Sequence, residues 1–215
     1  MQDLIGFLNH LMMNKQLKSI NPKNNLKLRL WNVPSLNEID SIIEKSAEAQ
    51  IFWSELNLKS RLKILKKLTF ILNERAREMS ILMADEMGKP IKQGMVEIIK
   101  CIRLCEYYLN NSELFLSNKY IKTESFKSYI AYCSVGLVLG IMPWNFPFWQ
   151  VFRFAIPSLV VGNGILLKHA SNVQGCANMI VECMKESGIP DHTFTNLQIP
   201  NSLVSKVIEN IFVQG

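Results

Sequence analysis

The feature that most limits the possible folds is a change of hydrophobic period in the second half of the chain. Beyond residue 135, short continuous apolar runs alternate with stretches whose apolar residues recur at helical spacing. Continuous apolar runs are typical of strands covered on both faces, and the order β-α-β-α-β-α is typical of a doubly wound parallel sheet. We therefore expect an α/β fold with a partial doubly wound parallel sheet, whose strands lie at about 135–142, 164–168 and 194–199.

Three helices are expected between and after these strands. Pro147 is well placed to open the first helix, since proline suits the first helical turn. The second helix should cover about 172–187 and end at Gly188, and the third carries apolar residues from Leu203 to Ile211.

The residues before the sheet favour helices. Ser35 and Glu38 have the spacing of a capping box, which predicts that a helix starts at Ser35. Leucines and methionines at helical spacing predict a second helix over about 58–87, ended by Gly88, and a third helix over about 91–116.

These patterns divide the chain into four parts. The first is weakly patterned apart from a turn near residues 19–24, and the third contains an alternating stretch at 127–133 that predicts an antiparallel strand. The parts are an N-terminal lead-in at 1–34, a helical region at 35–118, a strand or oligomerisation segment at 119–134, and an incomplete nucleotide-binding part at 135–215.

The charge of the chain permits an anionic partner such as a nucleotide. Lys and Arg number 24 against 18 Asp and Glu, a formal charge of +6. A cluster of basic residues on the second predicted helix makes nucleic acid an alternative partner. No aromatic residues interleave with this cluster, as base stacking would require. We therefore interpret the cluster as a solvated face and expect no nucleic-acid partner. The cluster comprises Lys59, Arg61, Lys63, Lys66 and Lys67.

The cysteines indicate reduced thiols. Their number is odd, no C-x-x-C occurs and no secretory signal precedes them, so we expect a cytoplasmic location. The three histidines are not clustered with them, so no metal site is expected. The cysteines are Cys101, Cys105, Cys133, Cys176 and Cys183, and the histidines are His10, His169 and His192.

An uncharged run from Ser128 to Phe152 is long enough to span a bilayer. However, Pro143 and Pro147 interrupt it, and lipid would offer no partner to the backbone groups that they free. We interpret the run as a buried strand, a turn and a helix, and expect no membrane partner; a membrane-associated protein is the alternative.

The pentapeptide Pro143-Trp144-Asn145-Phe146-Pro147 follows a predicted parallel strand, where ligands bind in open α/β sheets. It resembles a hallmark of the aldehyde dehydrogenase superfamily. Further stretches over nearly all of residues 20–215 resemble motifs of that family in the same order: Ile20-Asn21-Pro22, Glu86-Met87-Gly88-Lys89-Pro90, Gly162-Asn163-Gly164-Ile165-Leu166-Leu167-Lys168 and Ser187-Gly188-Ile189-Pro190. Residues 147–151 and 168–170 are similar to those of bacterial NAD(P)-dependent succinate-semialdehyde dehydrogenases.

The resemblance implies roles for the residues around the pentapeptide. Asn145 matches the asparagine whose side-chain amide forms half of the family's oxyanion hole, where a fixed N–H donor meets a carbonyl oxygen that becomes negative. The alternative for Asn145 is an Asx turn or a helix cap. Ile141, Met142, Pro143 and Trp144 match the wall that faces the cofactor.

The resemblance also implies the cofactor and a substrate contact. Lys168 matches the lysine that reaches the adenosine ribose, and His169, Ala170 and Ser171 continue the cofactor-binding stretch. Many members have a glutamate where Ser171 stands, and that carboxylate would repel a 2′-phosphate, so NADP or NAD is implied. Arg153 matches an arginine that meets the substrate carboxylate; a structural salt bridge is the alternative.

The family's nucleophilic cysteine and general-base glutamate belong to a domain after the cofactor-binding one, and none of the five cysteines here matches. We therefore expect the N-terminal, cofactor-binding portion of an enzyme that oxidises a small aldehyde such as succinate semialdehyde, inactive alone and ending just before the next strand. An inactive remnant or a split-gene product is the alternative. The partners implied for an intact enzyme are the aldehyde, further copies in a homo-oligomer and a separately encoded C-terminal half.

Overall fold

A three-stranded parallel sheet lies at the centre of the computed structural model, which describes residues 16–215. This confirms the predicted parallel arrangement. The order of the strands and helices along the chain is β1 (Gln16–Ile20), β2 (Lys27–Asn32), α1 (Leu36–Glu55), α2 (Leu58–Glu74), α3 (Ala76–Met87), α4 (Ile91–Phe115), β3 (Lys119–Tyr120), β4 (Tyr129–Ile130), β5 (Leu137–Met142), α5 (Trp149–Val161), β6 (Gly164–His169), α6 (Gln174–Ser187), β7 (Phe194–Asn196) and α7 (Val204–Ile208).

The register of the sheet brings the carboxyl ends of its strands to one edge. β6 lies between β5 and β7, with Met142 opposite His169 and Leu167 opposite Asn196. The loops that follow the three strands therefore begin beside one another, which is the arrangement that forms ligand sites in open α/β sheets.

Both faces of the sheet are covered, as the continuous apolar runs predict. One face packs against α5 and α6, and the helices α2, α3 and α4 pack behind these two. The other face, which includes Leu137 and Leu166, packs against Ile39 and Ile43 of α1 and Val207 of α7. Fully burying one such side chain stabilises the fold by about 1.5–3 kcal/mol.

The predicted start of α1 is confirmed. The Glu38 amide donates to Ser35 Oγ at 3.3 Å, and the Ser35 amide donates to Glu38 Oε2 at 2.7 Å, which completes the capping box.

Farther along α1, the Trp53 indole N–H donates to the Leu159 carbonyl at 2.9 Å and the Gln50 side chain donates to the Gly162 carbonyl at 3.0 Å. These bonds fix α1 to the end of α5.

The helix predicted over 58–87 is wrong in one respect, because it is two helices divided at Arg75, where the backbone leaves the helical conformation (φ −93°, ψ 6°). The apolar stripe continues across the break, so the hydrophobic period did not indicate it. The Arg75 guanidinium pairs with Glu78, and with Glu182 and Glu186 of α6. The Arg75 guanidinium at this break thus joins the helical region to α6.

The basic cluster on α2 needs a second correction. Arg61 does not belong to the solvated face: it is buried, and it donates to the carbonyls of Val160 at 3.1 Å and Ser54 at 3.1 Å. Desolvation lowers its pKa. The four lysines of the cluster are exposed, as expected.

The lead-in segment contains two strands that its weak pattern did not indicate. β1 and β2 form an antiparallel hairpin around a turn at 21–24, and Ser19 of β1 points inward, donating to Glu86 Oε1 at 2.5 Å. His10 and the first 15 residues lie outside the described part.

Several predicted boundaries were too wide. The strand expected over 127–133 is only Tyr129–Ile130, paired with Lys119–Tyr120, and the strand expected over 194–199 is Phe194–Asn196. The last helix ends at Ile208, three residues before Ile211, and residues 213–215 run along β5, where Val213 pairs with Leu137 in parallel. The next strand has therefore begun at Val213, not after residue 215.

The uncharged run forms β5, a loop and the start of α5, as its prolines indicate, but it also contains the short exposed strand β4, which the interpretation did not include. Within residues 16–215, no helix combines the length and the apolar character that a bilayer crossing requires. The four-part division of the chain remains a prediction.

Candidate functional site

The candidate site lies at the carboxyl edge of the parallel sheet. The loop 143–148 follows β5, a 3₁₀ turn at Ser171–Val173 follows β6, and a second 3₁₀ turn at Asn201–Leu203 follows β7. Because β5 and β6 are paired through Ile141 and Lys168, the loops that carry the site residues predicted after these two strands begin side by side.

Three buried side chains hold the loop 143–148 by its backbone. The Lys89 ammonium donates to the Asn145 carbonyl at 2.9 Å, and Glu97 Oε1 accepts the amides of Phe148 and Trp149 at 2.9 Å each. The ring of His169 lies 2.9 Å from the Pro147 carbonyl through Nε2. The loop is therefore held from Asn145 to the start of α5.

The N-terminus of α5 is capped by Glu97 and not by Asn145. The helix begins at Trp149, two residues after Pro147, and its N-cap residue Phe148 makes no side-chain cap. No hydrogen bond within residues 16–215 engages the Asn145 side-chain amide, so the alternative interpretation of this residue as an Asx turn or cap is wrong. The amide is exposed and free to donate.

The predicted cofactor-facing wall is exposed and apolar. Ile141 and Trp144 are each 52% exposed, Pro143 is exposed, and Met142 is partly buried. On a chain with a covered core, exposed apolar residues that adjoin one another indicate a contact surface.

His169 is a structural residue of this edge. Burial lowers its pKa to about 4, so the ring is neutral at physiological pH. The Ala170 amide donates to Nδ1 at 2.8 Å, which leaves the proton on Nε2, where it is donated to the Pro147 carbonyl. His169 thus links the loop after β5 to the loop after β6.

Lys168 is buried rather than solvent-exposed, unlike most lysines that end a strand. It is only 3% exposed and its ammonium donates to Asn201 Oδ1. Desolvation lowers its pKa. None of the ion pairs within the described part of the chain includes Lys168, so its charge has no carboxylate partner there.

Ser171 opens the turn after β6, and Ala170 precedes it; both are partly buried. A glutamate close to this turn, Glu86, is committed elsewhere, since its carboxylate accepts the amides of Gly175 and Cys176 at 2.8 Å each and so caps α6. The turn itself carries no acidic residue.

Arg153 lies exposed on the first turns of α5, and no ion pair among residues 16–215 includes it. The salt bridge considered as its alternative role is thus not formed there. Its neighbour Phe154 packs over the sheet: a Cβ added to Gly140 would meet the Phe154 ring at 2.5 Å.

None of the cysteines lies at the carboxyl edge. Cys101, Cys105, Cys176 and Cys183 are buried in helices, and burial raises the pKa of each thiol. Cys133 is exposed but precedes β5, at the opposite end of the strand. Groups of residues able to hold a metal ion are absent from the part of the chain that the structure describes.

Lys89 and Glu97 are the site residues that the sequence reasoning missed. A signal existed for Glu97, because it interrupts an apolar stripe of α4 between Gly94 and Cys101. Such a carboxylate is buried only with partners. Lys89 directly follows Gly88, which ends α3, and nothing in its local sequence pattern indicates burial.

Comparison with known proteins places this geometry in a family. The model of the aldehyde dehydrogenase family matches residues 11–210. The probable NADP(+) succinate-semialdehyde dehydrogenase of Synechocystis sp. is 37% identical over 199 residues, which make up 93% of this chain and 44% of the relative. The NAD(P)+ succinate semialdehyde dehydrogenase Sad of Escherichia coli K12 is 36% identical over 192 residues, 89% of this chain and 42% of the relative. The chain spans less than half the length of these relatives.

A solved structure agrees with these sequence relatives. Succinic semialdehyde dehydrogenase from Streptococcus pyogenes, in complex with NADP+ as the cofactor, matches with a TM-score of 0.87 at 28% identity, over 92% of this chain and 44% of that one. The fold, the order of the motifs and the match over nearly the whole sequence lead to one conclusion: the chain belongs to the aldehyde dehydrogenase family.

Proposed function

We propose that the chain supplies the cofactor-binding part, and half of the oxyanion site, of an NAD(P)-dependent enzyme that oxidises succinate semialdehyde or a similar small acidic aldehyde. The observation that carries the proposal is the placement of Asn145 and Lys168. A free side-chain amide in the loop after β5 and an ammonium at the end of β6, which has no carboxylate partner among residues 16–215, belong to two paired strands at one edge of the sheet.

The residues present fit a dinucleotide cofactor. The Lys168 ammonium and the Ser171 hydroxyl are donors for ribose or phosphate oxygens, and no acidic residue stands in the turn to repel a phosphate. The exposed wall from Ile141 to Trp144 offers an apolar surface for the cofactor. When bound, the nicotinamide group accepts a hydride.

Asn145 and Arg153 would act on the substrate. The Asn145 amide N–H donates to the aldehyde oxygen and stabilises the negative charge that develops on it during nucleophilic attack. The Arg153 guanidinium can donate two parallel bonds to the carboxylate at the other end of a small acidic aldehyde. Its exposure and lack of an ion pair in the described part support this role.

The nucleophile must come from outside this chain. The buried cysteines have raised pKa values and are inaccessible, and Cys133 lies at the wrong end of β5. The chain alone therefore forms no covalent adduct for hydride transfer and oxidises no aldehyde. A separately encoded or fused C-terminal part would supply the thiol and the general base; without one, the chain is an inactive remnant.

We also propose that residues 119–134 mediate assembly of copies in the intact enzyme. The β3–β4 hairpin exposes large apolar side chains to solvent, including Tyr120, Phe126 and Tyr129. Exposed apolar surface of this kind is typical of interfaces. The five unpaired thiols support a cytoplasmic location, since reducing compartments preserve them.

The test is a fusion of this chain to the C-terminal part of the Synechocystis relative, assayed beside the 215-residue chain alone. We expect the fusion, and not the chain alone, to produce NAD(P)H from succinate semialdehyde. Arg153→Gln should raise KM for succinate semialdehyde by about tenfold or more, because one charge-assisted pair is lost, while KM for butyraldehyde, which has no carboxylate, stays unchanged. An equal change for both aldehydes would contradict the assigned role of Arg153.

A further inference from the structure

The loop that carries Asn145 is held by one buried network of charges. Lys89 and Glu97 form an ion pair whose side chains are 6% and 1% exposed. Glu97 uses one carboxylate oxygen for Lys89 and the other for the amides of Phe148 and Trp149. Lys89 extends the network to the Asn145 carbonyl, and its ammonium also lies 4.0 Å from the centre of the Phe146 ring.

We propose that Lys89 is a positioning residue for the oxyanion site. By binding the main-chain carbonyl of Asn145, Lys89 fixes the peptide plane that begins at the Asn145 Cα. The Asn145 side chain leaves from that Cα, so its position and the direction of the side-chain amide depend on this contact. This inference rests on the proposed function, in which that amide stabilises the developing oxyanion.

The burial of Lys89 argues for such a role over a purely stabilising one. A buried ammonium is costly unless it is paired, and replacing a buried ion pair with apolar residues often leaves stability unchanged. The second hydrogen bond of Lys89 goes to the main chain of Asn145, whose side chain makes no hydrogen bond of its own within residues 16–215. Asn145 thus depends on its backbone for its orientation.

The orientation of the Asn145 side-chain amide matters because an oxyanion donor has to be placed accurately. An oxyanion donor must lie about 2.7–3.1 Å from the position of the charged oxygen, and a displacement of about 1 Å can reduce the rate about a hundredfold. A side chain held only by its own rotamer does not meet that requirement when its backbone moves.

The variant that isolates the contact is Lys89→Met/Glu97→Gln. It removes both charges together, so no unpaired charge is left buried, and the side-chain oxygen of the introduced glutamine can still accept the two amides that begin α5. The matched control is Lys100→Met. Lys100 also approaches this helix start, with its ammonium 3.8 Å from the centre of the Trp149 ring, but it binds no main-chain carbonyl in the described part.

The first measurement uses ¹⁵N relaxation of the 215-residue chain. In the parent and in Lys100→Met we expect backbone order parameters of about 0.85 at Asn145 and Phe146. In the double variant we expect these two order parameters to fall below about 0.6, while the order parameters of β6 stay as in the parent. Unchanged order parameters at Asn145 and Phe146 in the double variant would overturn the inference, as would an equal fall in β6, which would indicate general destabilisation.

The second measurement uses the active fusion. The double variant should lower kcat about tenfold to a hundredfold with KM for the aldehyde nearly unchanged, and adding Asn145→Ala to it should lower kcat by much less than in the parent. Full additivity of the two effects would refute action through Asn145. If Asn145→Ala alone leaves kcat unchanged, the proposed function fails; if it lowers kcat and the Lys89 variant does not, only the present inference fails.

Discussion

We predict that Ser171, which opens the turn after β6, sets the choice between NADP and NAD. A 2′-phosphate would gain a charge-assisted bond to the Lys168 ammonium and meet no carboxylate in the turn. We expect the fusion to use NADP at least as well as NAD. Ser171→Glu should lower the ratio of kcat/KM for NADP over NAD by about tenfold to a hundredfold, the effect of one charged contact.

The control for this comparison is Ser171→Gln, which has the size of glutamate without its charge. It should leave most of the preference for NADP intact. If the glutamate and glutamine variants shift the ratio equally, the effect is steric and Ser171 is not the discriminating residue.

The helices at the site depend on two buried glutamates that lie far from them in sequence. Glu86 caps α6 and Glu97 caps α5, each through two backbone amides. Gly175 permits the first cap, because a Cβ there would lie 2.7 Å from Glu86 Oε1. Gly175→Ala should therefore lower the free energy of unfolding by about 1–3 kcal/mol, although alanine normally favours a helix.

Urea unfolding in two backgrounds checks this explanation. In Glu86→Ala the carboxylate that would clash is gone, so Gly175→Ala should there be neutral or stabilising by up to about 1 kcal/mol. The same loss in both backgrounds would show that the clash with Glu86 is not the cause.

Local sequence signals were sufficient for elements whose boundaries are set by local chemistry. The capping box at Ser35 and the glycines Gly88 and Gly188, which both have positive φ, were predicted to mark helix ends, and the structure confirms these three ends. The break at Arg75 was not predictable in this way, because its partners Glu182 and Glu186 lie on a distant helix.

The same distinction applies to the candidate site. The loop after β5 and Lys168 at the end of β6 were located from the strand pattern and the motifs, since the ends of parallel strands meet at one edge. The residues that support the loop were not located in this way, because Glu97 on α4 and Lys89, just before α4, reach the loop only through tertiary packing. Buried charges in apolar stripes are the signal that points to such supports.

The molecule as a whole has an incompletely covered sheet edge. Residues 213–215 pair with the start of β5, while Ile141 at its end is 52% exposed, beside exposed Trp144 and Phe146. Such edges and apolar patches promote association. We expect the 215-residue chain to self-associate with increasing concentration in sedimentation velocity experiments.

Ile141→Lys should reduce this association without abolishing it, since a charged side chain on an edge strand opposes strand pairing while the β3–β4 hairpin keeps its own exposed apolar side chains. Ile208→Lys is the matched control, because Ile208 on α7 is similarly exposed, at 56%, but lies on a helix. Two results would contradict the assignment of the associating surface to the edge of β5. One is a parent chain that remains monomeric at all concentrations, and the other is an equal effect of the two substitutions on association.

The most direct test of the central claim is kcat of the fusion with Asn145→Ala, using succinate semialdehyde at saturating concentration. Loss of one oxyanion donor should reduce kcat about a hundredfold to a thousandfold while the Kd for NADP, measured by quenching of tryptophan fluorescence, stays unchanged. A kcat within about twofold of the parent would contradict the account, because the exposed, unpartnered amide after β5 would then have no part in the reaction.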